Sequence, residues 1–293
     1  MLSIITPVYN GEDHIEGCIQ NVIDQRYFDV EHIIIDDGST DKTAEIVKKF
    51  TEKYPHIKYH YQKNQGQSTA YNNGIKLARG KIISLLNDDD FYEPNIFNDI
   101  LKMFENLPES SLVCGNCNVL GKNDAIVHVN KPKKLKIKQL LLGSDVSQTP
   151  ATSASCFYHK SLHDKIGLYR TDEHYIMDLY FIFDSSRVAN MVYVDKVLSN
   201  FRFVPGTKTY SDTESGEAMA RYNKFIKKYR RGFSFRDRCE VFILRKLYLI
   251  FHPVLLVDVK LGLFGIFLKK KNPKIYYKLI RLKELLNSFI ISR

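Results

Sequence analysis

The sequence predicts an α/β fold built on a parallel sheet, and three observations predict it. Short β-branched runs alternate with segments of helical spacing, the alternation recurs before residue 90, and the runs end in polar residues. Leu2–Thr6 and His32–Asp36 read as the first two strands. Glu12–Gln25 between them carries Ile15, Cys18, Ile19, Val22 and Ile23 at helical spacing, so strand, helix and strand follow within about 35 residues, the length of a βαβ unit. Asp41–Tyr54 reads as the next helix, with Ser39 or Thr40 as its cap. Ile57–Tyr61 then reads as a strand, Ser68–Ala78 as a helix and Lys81–Leu86 as a buried strand.

Beyond residue 110 the pattern loosens. Leu112–Val119 and Ala125–Val129 read as strands, Lys131–Lys138 as an exposed basic loop and Ser161–Gly167 as a short helix. Tyr175–Ala189 has helical character, Val192–Phe203 resembles one or two strands, Gly206–Gly216 reads as a mobile loop, and helices are expected from Phe225 onward. The organisation this predicts is a large α/β domain over 1–215, in halves 1–110 and 111–215, then a basic, apolar helical segment over 216–293.

The net charge of +10 is unevenly placed. Acids and bases balance up to about Pro108, whereas Lys131–Lys138 and the chain after Lys224 are strongly basic. Charge alone does not choose between nucleic acid, anionic lipid and a phosphorylated substrate. Cys18, Cys114, Cys117, Cys156 and Cys239 are scattered, with one CxxC inside an apolar run, and read as reduced structural thiols suited to the cytosol. His159 and His163 stand four apart without an assignable third ligand, so no zinc site is expected. The first residues lack a basic stretch followed by an apolar one and read as a strand rather than a signal peptide.

In a doubly wound sheet the ligand crevice lies beyond the carboxyl ends of the strands. Those ends are Thr6-Pro7-Val8-Tyr9-Asn10, Asp36-Asp37-Gly38-Ser39 and Asn87-Asp88-Asp89-Asp90. Acids gathered there repel one another unless a cation or hydrogen-bond donors lie between them. Oxygen ligands on a short strand end suit a hard divalent cation, and a solvated acidic turn or a cap for the helix near Pro94 is the plainer alternative. Asp36 and Asp37 can accept from a base N–H or a ribose hydroxyl, and Tyr9 offers a stacking face.

Thr6-Pro7-Val8-Tyr9-Asn10-Gly11, Ile35-Asp36-Asp37-Gly38-Ser39-Thr40-Asp41, Asn64-Gln65-Gly66, Ala70-Tyr71-Asn72-Asn73-Gly74 and Asn87-Asp88-Asp89-Asp90 with Pro94 follow in that order. This ordered set resembles family 2 glycosyltransferases, strongly over about 1–110 and more weakly to about 210. The resemblance implies a GT-A fold, a nucleoside-diphosphate sugar donor, inversion at the sugar and Mg²⁺ or Mn²⁺. It implies a donor-binding set of Thr6, Pro7, Tyr9, Glu12, Asp36, Asp37, Asn64, Asn72, Asn87, Asp88 and Arg202. It also implies Asp89 as the direct metal ligand and Asp178, in Met177-Asp178-Leu179-Tyr180-Phe181, as the general base. The sequence departs from the family at Asn87, where the acidic motif usually begins with Asp. Gln148-Thr149-Pro150 and Phe201-Arg202-Phe203 resemble later segments of a soluble subgroup, which brings Arg202 or Lys208 toward the diphosphate.

Residues 241–268 are apolar but interrupted by Arg245, Lys246, His252, Pro253, Asp258 and Lys260, with Lys269–Lys271 following. A bilayer-crossing helix is disfavoured, and helices lying on an anionic membrane are expected, against the alternative of a subdomain packed on the core. The expected acceptor is a glycan or lipid-linked hydroxyl, the expected location the cytoplasm at the inner face of the membrane, and no nucleic-acid partner is expected. A nucleotidyltransferase would carry a Gly-rich basic loop after the first strand, where Tyr9-Asn10-Gly11-Glu12 stands instead. A non-catalytic nucleotide-sugar-binding protein is the other alternative. Processive synthases carry a Gln-x-x-Arg-Trp motif, and this chain has no Trp.

Overall fold

The computed structural model describes residues 1–141 and 149–251, together with Pro273, Lys274 and Tyr277. Two compact units divide them. The first comprises Met1–Val119, Val129–Leu135 and Thr149–Arg202; the second comprises the described parts of Leu120–His128, Lys136–Gln148 and Phe203–Arg293.

The first unit begins β1 (Leu2–Val8), α1 (Ile15–Asp24), β2 (Val30–Asp36), α2 (Thr43–Lys53), β3 (Ile57–Tyr61), α3 (Gln67–Leu77) and β4 (Ile82–Leu85). β1 pairs in parallel with both β2 and β4, and β2 with β3, as expected from the alternation of strands and helices. Every residue of β1 and β2 is buried, as in a parallel sheet covered on both faces. Ile15, Cys18, Ile19 and Val22 bury one face of α1 at helical spacing. Cys18 and Val22 join Leu2 and Ile4 in one apolar cluster, while Ile15 and Ile19 join Val8, Ile34, Val47 and Ile57 in another. Each such side chain contributes about 1.5–3 kcal/mol by leaving water.

Burying Glu31 in β2 is tolerable because its carboxylate accepts from Ser3 Oγ (2.6 Å), Arg79 N (2.6 Å) and Gly80 N (3.2 Å) and pairs with Arg79 Nε (3.1 Å). The expected cap of α2 needs correction. Ser39 Oγ accepts instead from Asn10 N (2.9 Å) and Thr40 donates to Asn10 Oδ1; the cap position is Lys42, and Asp41 before it accepts from Thr43 N (3.0 Å).

The chain continues through β5 (Phe91–Tyr92), α4 (Ile96–Phe104), β6 (Ser111–Leu120), β7 (Ile126–Asn130) and α5 (Ile137–Leu141). It resumes with β8 (Cys156–His159), α6 (Leu162–Ile166), α7 (Met177–Val188) and β9 (Asn190–Arg202). Among the described residues the sheet order is β3-β2-β1-β4-β8-β6-β9-β5, so the parallel half passes into a mixed half where antiparallel β8 joins β4 to β6. Sequence reading missed β8, because four residues are too few to show a period. On strand β6 the CxxC thiols are three apart and point to opposite faces, which rules out a shared pair. Lys131–Lys138 is not wholly an exposed loop: Pro132 and Leu135 are buried and Ile137 opens α5.

In the second unit Gly206–Gly216 is not a loop but holds α8 (Lys208–Ser215), followed by α9 (Glu217–Arg231) and α10 (Phe235–Phe251). α8 has no buried stripe for a periodicity to reveal. It is held by Tyr210 packing on Phe203, ring centroids 5.1 Å apart, and by Asp212 accepting from Arg221 at 3.0 Å. Gly216, at φ 80°, ends α8 in the left-handed conformation that favours glycine. Gln148 and most of the 241–271 apolar and basic run lie outside the described residues.

Candidate active site

The carboxyl ends of β1, β2 and β4 converge. Asn10 N donates to Ser39 Oγ, Gly11 N donates to Thr43 Oγ1 (2.9 Å), and Gly11 lies so close to Asp88 that a Cβ there would meet Asp88 Oδ2 at 2.4 Å. A side chain at 11 would force Asp88 and Val8 to shift, so the glycine lets the first strand end lie against the acidic loop after the fourth as they stand.

That loop is crowded with charge. Burial, and then the charge of Asp89, pushes Asp88 up to about 7. Burial raises Asp89 too, opposed by His14 and Arg202, and burial followed by Asp89 raises Asp90 well above its ordinary range. Asp90 Oδ2 accepts from Thr152 Oγ1 (2.6 Å) and Asn87 Nδ2 (3.1 Å), while Asp90 Oδ1 is buried without a hydrogen bond. Asn87 Oδ1 in turn accepts from Tyr71 Oη (2.5 Å) and Gln67 Nε2 (2.8 Å). Asn87 is therefore acceptor on one side and donor on the other, which a carboxylate could not be.

This donor set tests the implied cation. Hard oxygens, raised carboxyls and an orphaned Asp90 Oδ1 fit a hard divalent ion. Among the described residues no three His, Cys, Asp or Glu side chains form a metal-holding group, so further ligands would come from water or a bound phosphate, as is usual for Mg²⁺.

The other sequence-expected residues fall into two groups. Tyr9 is 54% exposed and Asn64 is exposed, both available to a ligand, and Pro7 is buried within β1. Arg202 is half-buried, donates Nη1 to Asp89 O (3.1 Å) and lies over the Phe91 ring at 5.1 Å, beside the acidic loop. The rest are engaged with the protein. Thr6 bonds His32 Nε2 (2.9 Å), and Glu12 accepts from Lys42 N (3.0 Å). Asp36 accepts from Ser39 N (2.8 Å) and Tyr59 Oη (2.6 Å). Asp37 accepts from Gln62 Nε2 (2.7 Å) and from the N–H groups of Gln65 and Gly66 (2.8 Å each). Asn72 exchanges two 2.8 Å bonds with the backbone of Tyr169. Lys208 opens α8 in the second unit.

Asp178 sits in the first turn of α7, where free helix N–H groups favour a carboxylate, and accepts from Leu179 N (2.9 Å). It lines a small cleft with Leu85, Thr152, Cys156, Tyr158, Tyr169 and Phe181. Tyr169 stacks on Phe181, centroids 4.8 Å apart at 16°, which makes one wall rigid and aromatic. Burial raises the Tyr71 phenol well above its ordinary value, and Asp90, Asp178 and Asp89 all add to the shift, so the acidic loop and Asp178 bear on one hydroxyl. The sequence does not single out Tyr71, Gln67 or Thr152: Tyr71 lies within Ala70-Tyr71-Asn72-Asn73-Gly74, but Thr152 has no signal beyond its polarity.

A mixed α/β sheet of this order, followed by helices, is the GT-A fold of glycosyltransferases. The chain belongs to glycosyl transferase family 2, whose family model matches residues 3–167. It is 38% identical over 117 residues to an uncharacterized glycosyltransferase of Escherichia coli K12, a match covering 40% of this chain and 33% of that protein. The chain thus aligns with about a third of that relative's length. Its fold is similar to Staphylococcus aureus TarS residues 1–349 in complex with UDP, with a TM-score of 0.59 at 18% identity over 88% of this chain and 70% of that one. It is also similar to a Pyrobaculum calidifontis mannosyltransferase in complex with GDP-Man and Mn²⁺, with a TM-score of 0.62 at 15% identity over 97% and 84%.

Proposed function

We propose that this glycosyltransferase moves a single sugar, with inversion, from a nucleoside-diphosphate donor to a hydroxyl of a glycan or lipid-linked acceptor in the synthesis of cell-surface polysaccharide or glycolipid. The observation that carries the reading is that Tyr71 donates to Asn87 of the acidic loop at 2.5 Å while its ring lies 5.5 Å from that of Tyr169, which lines the cleft with Asp178. An inverting displacement needs a base on one side of the anomeric carbon and charge neutralisation on the other. Asp178 is the base that takes the acceptor proton as the hydroxyl attacks. Asp89, with Asp88 beside it in the loop, would hold a Mg²⁺ or Mn²⁺ ion, which would supply charge neutralisation for the departing diphosphate. Arg202, tied to Asp89 O, adds a fixed positive charge beside the same group. Tyr9 offers its exposed ring to the base of the nucleotide.

The named complexes of the two solved structures, one with UDP and one with GDP-Man and Mn²⁺, support a nucleotide-sugar donor and a metal while leaving uridine and guanosine both open. A screen of UDP-, GDP- and dTDP-sugars with and without Mn²⁺ tests the proposal. Turnover of one donor is expected, lost on chelation and in Asp89→Ala and Asp178→Ala. Turnover unaffected by both substitutions would sink it.

A further inference from the structure

A second cleft lies at the opposite end of the sheet from the acidic loop. That loop leaves the carboxyl end of β4, whereas Arg79-Gly80-Lys81 lead into its amino end, about 13 Å away at the rise of a strand. The cleft there has a volume of about 490 Å³, within the ~300–1,000 Å³ usual for small organic ligands, and its lining belongs wholly to the first unit. Four cations line it, Lys76, Arg79, Lys81 and Lys160, against two acids, Glu109 and Asp164. Gly80 pins the backbone between two of the cations: its N–H donates to Ser3 Oγ (2.9 Å), and a Cβ there would meet that oxygen at 2.5 Å. Arg79 and Lys81 are therefore displayed from a fixed point. Lys160 Nζ donates to Ala78 O (2.5 Å), which satisfies a carbonyl at the end of α3 and holds the ammonium in place. Arg79 turns Nε to Glu31 with its side chain 67% exposed, and Lys76 and Lys81 form no ion pair among the described residues.

The excess of positive charge selects an anion. A nucleotide would want a stacking face, and no Phe, Tyr or Trp lines the cleft. An inorganic ion would leave most of the volume to water, and a polyanion would meet Glu109 and Asp164. A compact polyol bearing one phosphate uses both sets of charges, its phosphate on the cations and its hydroxyls donating to the carboxylates. Buried Ile75 and half-exposed Leu168 add an apolar patch for the C–H face of a sugar ring. We propose that this cleft is a binding site for a phosphorylated sugar, with Lys76, Arg79 and Lys81 on the phosphate and Glu109 and Asp164 on the hydroxyls. The proposal stands on this cleft alone and is independent of the sugar-transfer reading.

Isothermal titration calorimetry of the full chain in EDTA, with the 6-phosphates of glucose, mannose and N-acetylglucosamine, tests it without donor, acceptor or metal. At least one is expected to bind tenfold or more tightly than its unphosphorylated sugar and than inorganic phosphate. Lys76→Gln, Lys81→Gln should lose at least tenfold, whereas Lys48→Gln, Lys58→Gln, exposed lysines on α2 and β3, should stay within twofold of wild type. Glu109→Gln, Asp164→Asn should weaken the sugar phosphate at least threefold and strengthen inorganic phosphate, because repulsion is removed along with the hydroxyl acceptors. No saturable binding of the three sugar phosphates overturns the proposal, as does inorganic phosphate bound as tightly, or an equal loss in the two lysine pairs. So does a tenfold loss in Arg202→Gln, which would assign the ligand to the end of the sheet that carries the acidic loop.

Discussion

Asn87→Asp is close to isosteric and restores the acid with which the family's motif usually begins, yet the structure predicts that it destabilises this chain. Tyr71 and Gln67 would go on donating to a carboxylate at 87, so two of the three contacts survive. The third reverses sign wherever Asp90 is ionised, because the 3.1 Å bond from Asn87 Nδ2 to Asp90 Oδ2 becomes an approach of two carboxylates. Thermal unfolding is therefore compared at alkaline pH, above the raised range of Asp90. Two unit charges at that distance repel by about 1 kcal/mol in water and about 5 kcal/mol at an effective dielectric of 20. The loop is half-buried, and a proton or rearrangement relieves part of the repulsion, so a loss of about 3 kcal/mol is expected. For a domain of this size that lowers the melting temperature by roughly 6–12 °C. Thermal unfolding of the protein without added ligand measures it. The double variant Asn87→Asp, Asp90→Asn restores a donor facing an acceptor and should recover at least half of the loss. Excess Mn²⁺ with UDP should stabilise the single variant more than wild type, since the variant has the larger unneutralised charge. A single variant that melts within about 1 °C of wild type, or a double variant no better than the single, refutes the reasoning.

Three further outcomes follow from the same contacts. Asp178→Asn should lower kcat by about 10²–10⁴ while leaving the nucleotide Kd within about threefold, and equal losses in binding and turnover would assign Asp178 to the donor subsite instead. Asn72→Ala removes both bonds to Tyr169 and leaves a buried N–H and C=O unpaired, at about 1–3 kcal/mol each; a urea midpoint shift worth under 0.5 kcal/mol would show that water replaces the side chain. Burial pushes His32 down to about 3. Its folded value lies below its unfolded one, so its contribution is complete above about pH 6.5 and is lost as pH falls, by about 1.4 kcal/mol per pH unit. The raised carboxyl of Asp88 works in the opposite sense, stabilising as pH falls below about 7, so the His32 contribution must be read as wild type minus His32→Gln. Parallel stability curves for the two proteins between pH 7 and 5 would rule it out.

The parallel half was legible because its packing writes itself into the sequence. β2 is buried on both faces and shows three consecutive isoleucines, Ile33–Ile35, at its centre, and α1 has one buried stripe and reads at helical spacing. β3 was legible to the residue because both its ends are marked by polarity. β8 and α8 were illegible for opposite reasons: β8 is wholly buried but too short, and α8 buries nothing and is held by single contacts such as Tyr210 on Phe203. The site divides in the same way. That three polar strand ends meet follows from parallel topology, which sequence shows. Which of their polar atoms remain for a ligand depends on partners distant in sequence, such as Thr152, 62 positions from Asp90, and Tyr169, 97 from Asn72.

Those distant partners bear on how such a site keeps its shape. α3 touches three parts of it: Gly66 N at its start donates to Asp37, Gln67 and Tyr71 donate to Asn87, Ser68 donates to Glu173 O and Asn72 clasps Tyr169. The strand end at Asp37, the acidic loop and the segment leading to Asp178 are thus tied to one rigid element. Carboxylates that repel one another would otherwise splay when no cation is bound, and the cost of regathering them would be charged against binding. With Asn87 donating to Asp90 and α3 holding Asn87, part of that cost is met during folding. An amide where the family usually has an acid is therefore consistent with a site that gives up one charge in the cluster for a fixed arrangement of the others.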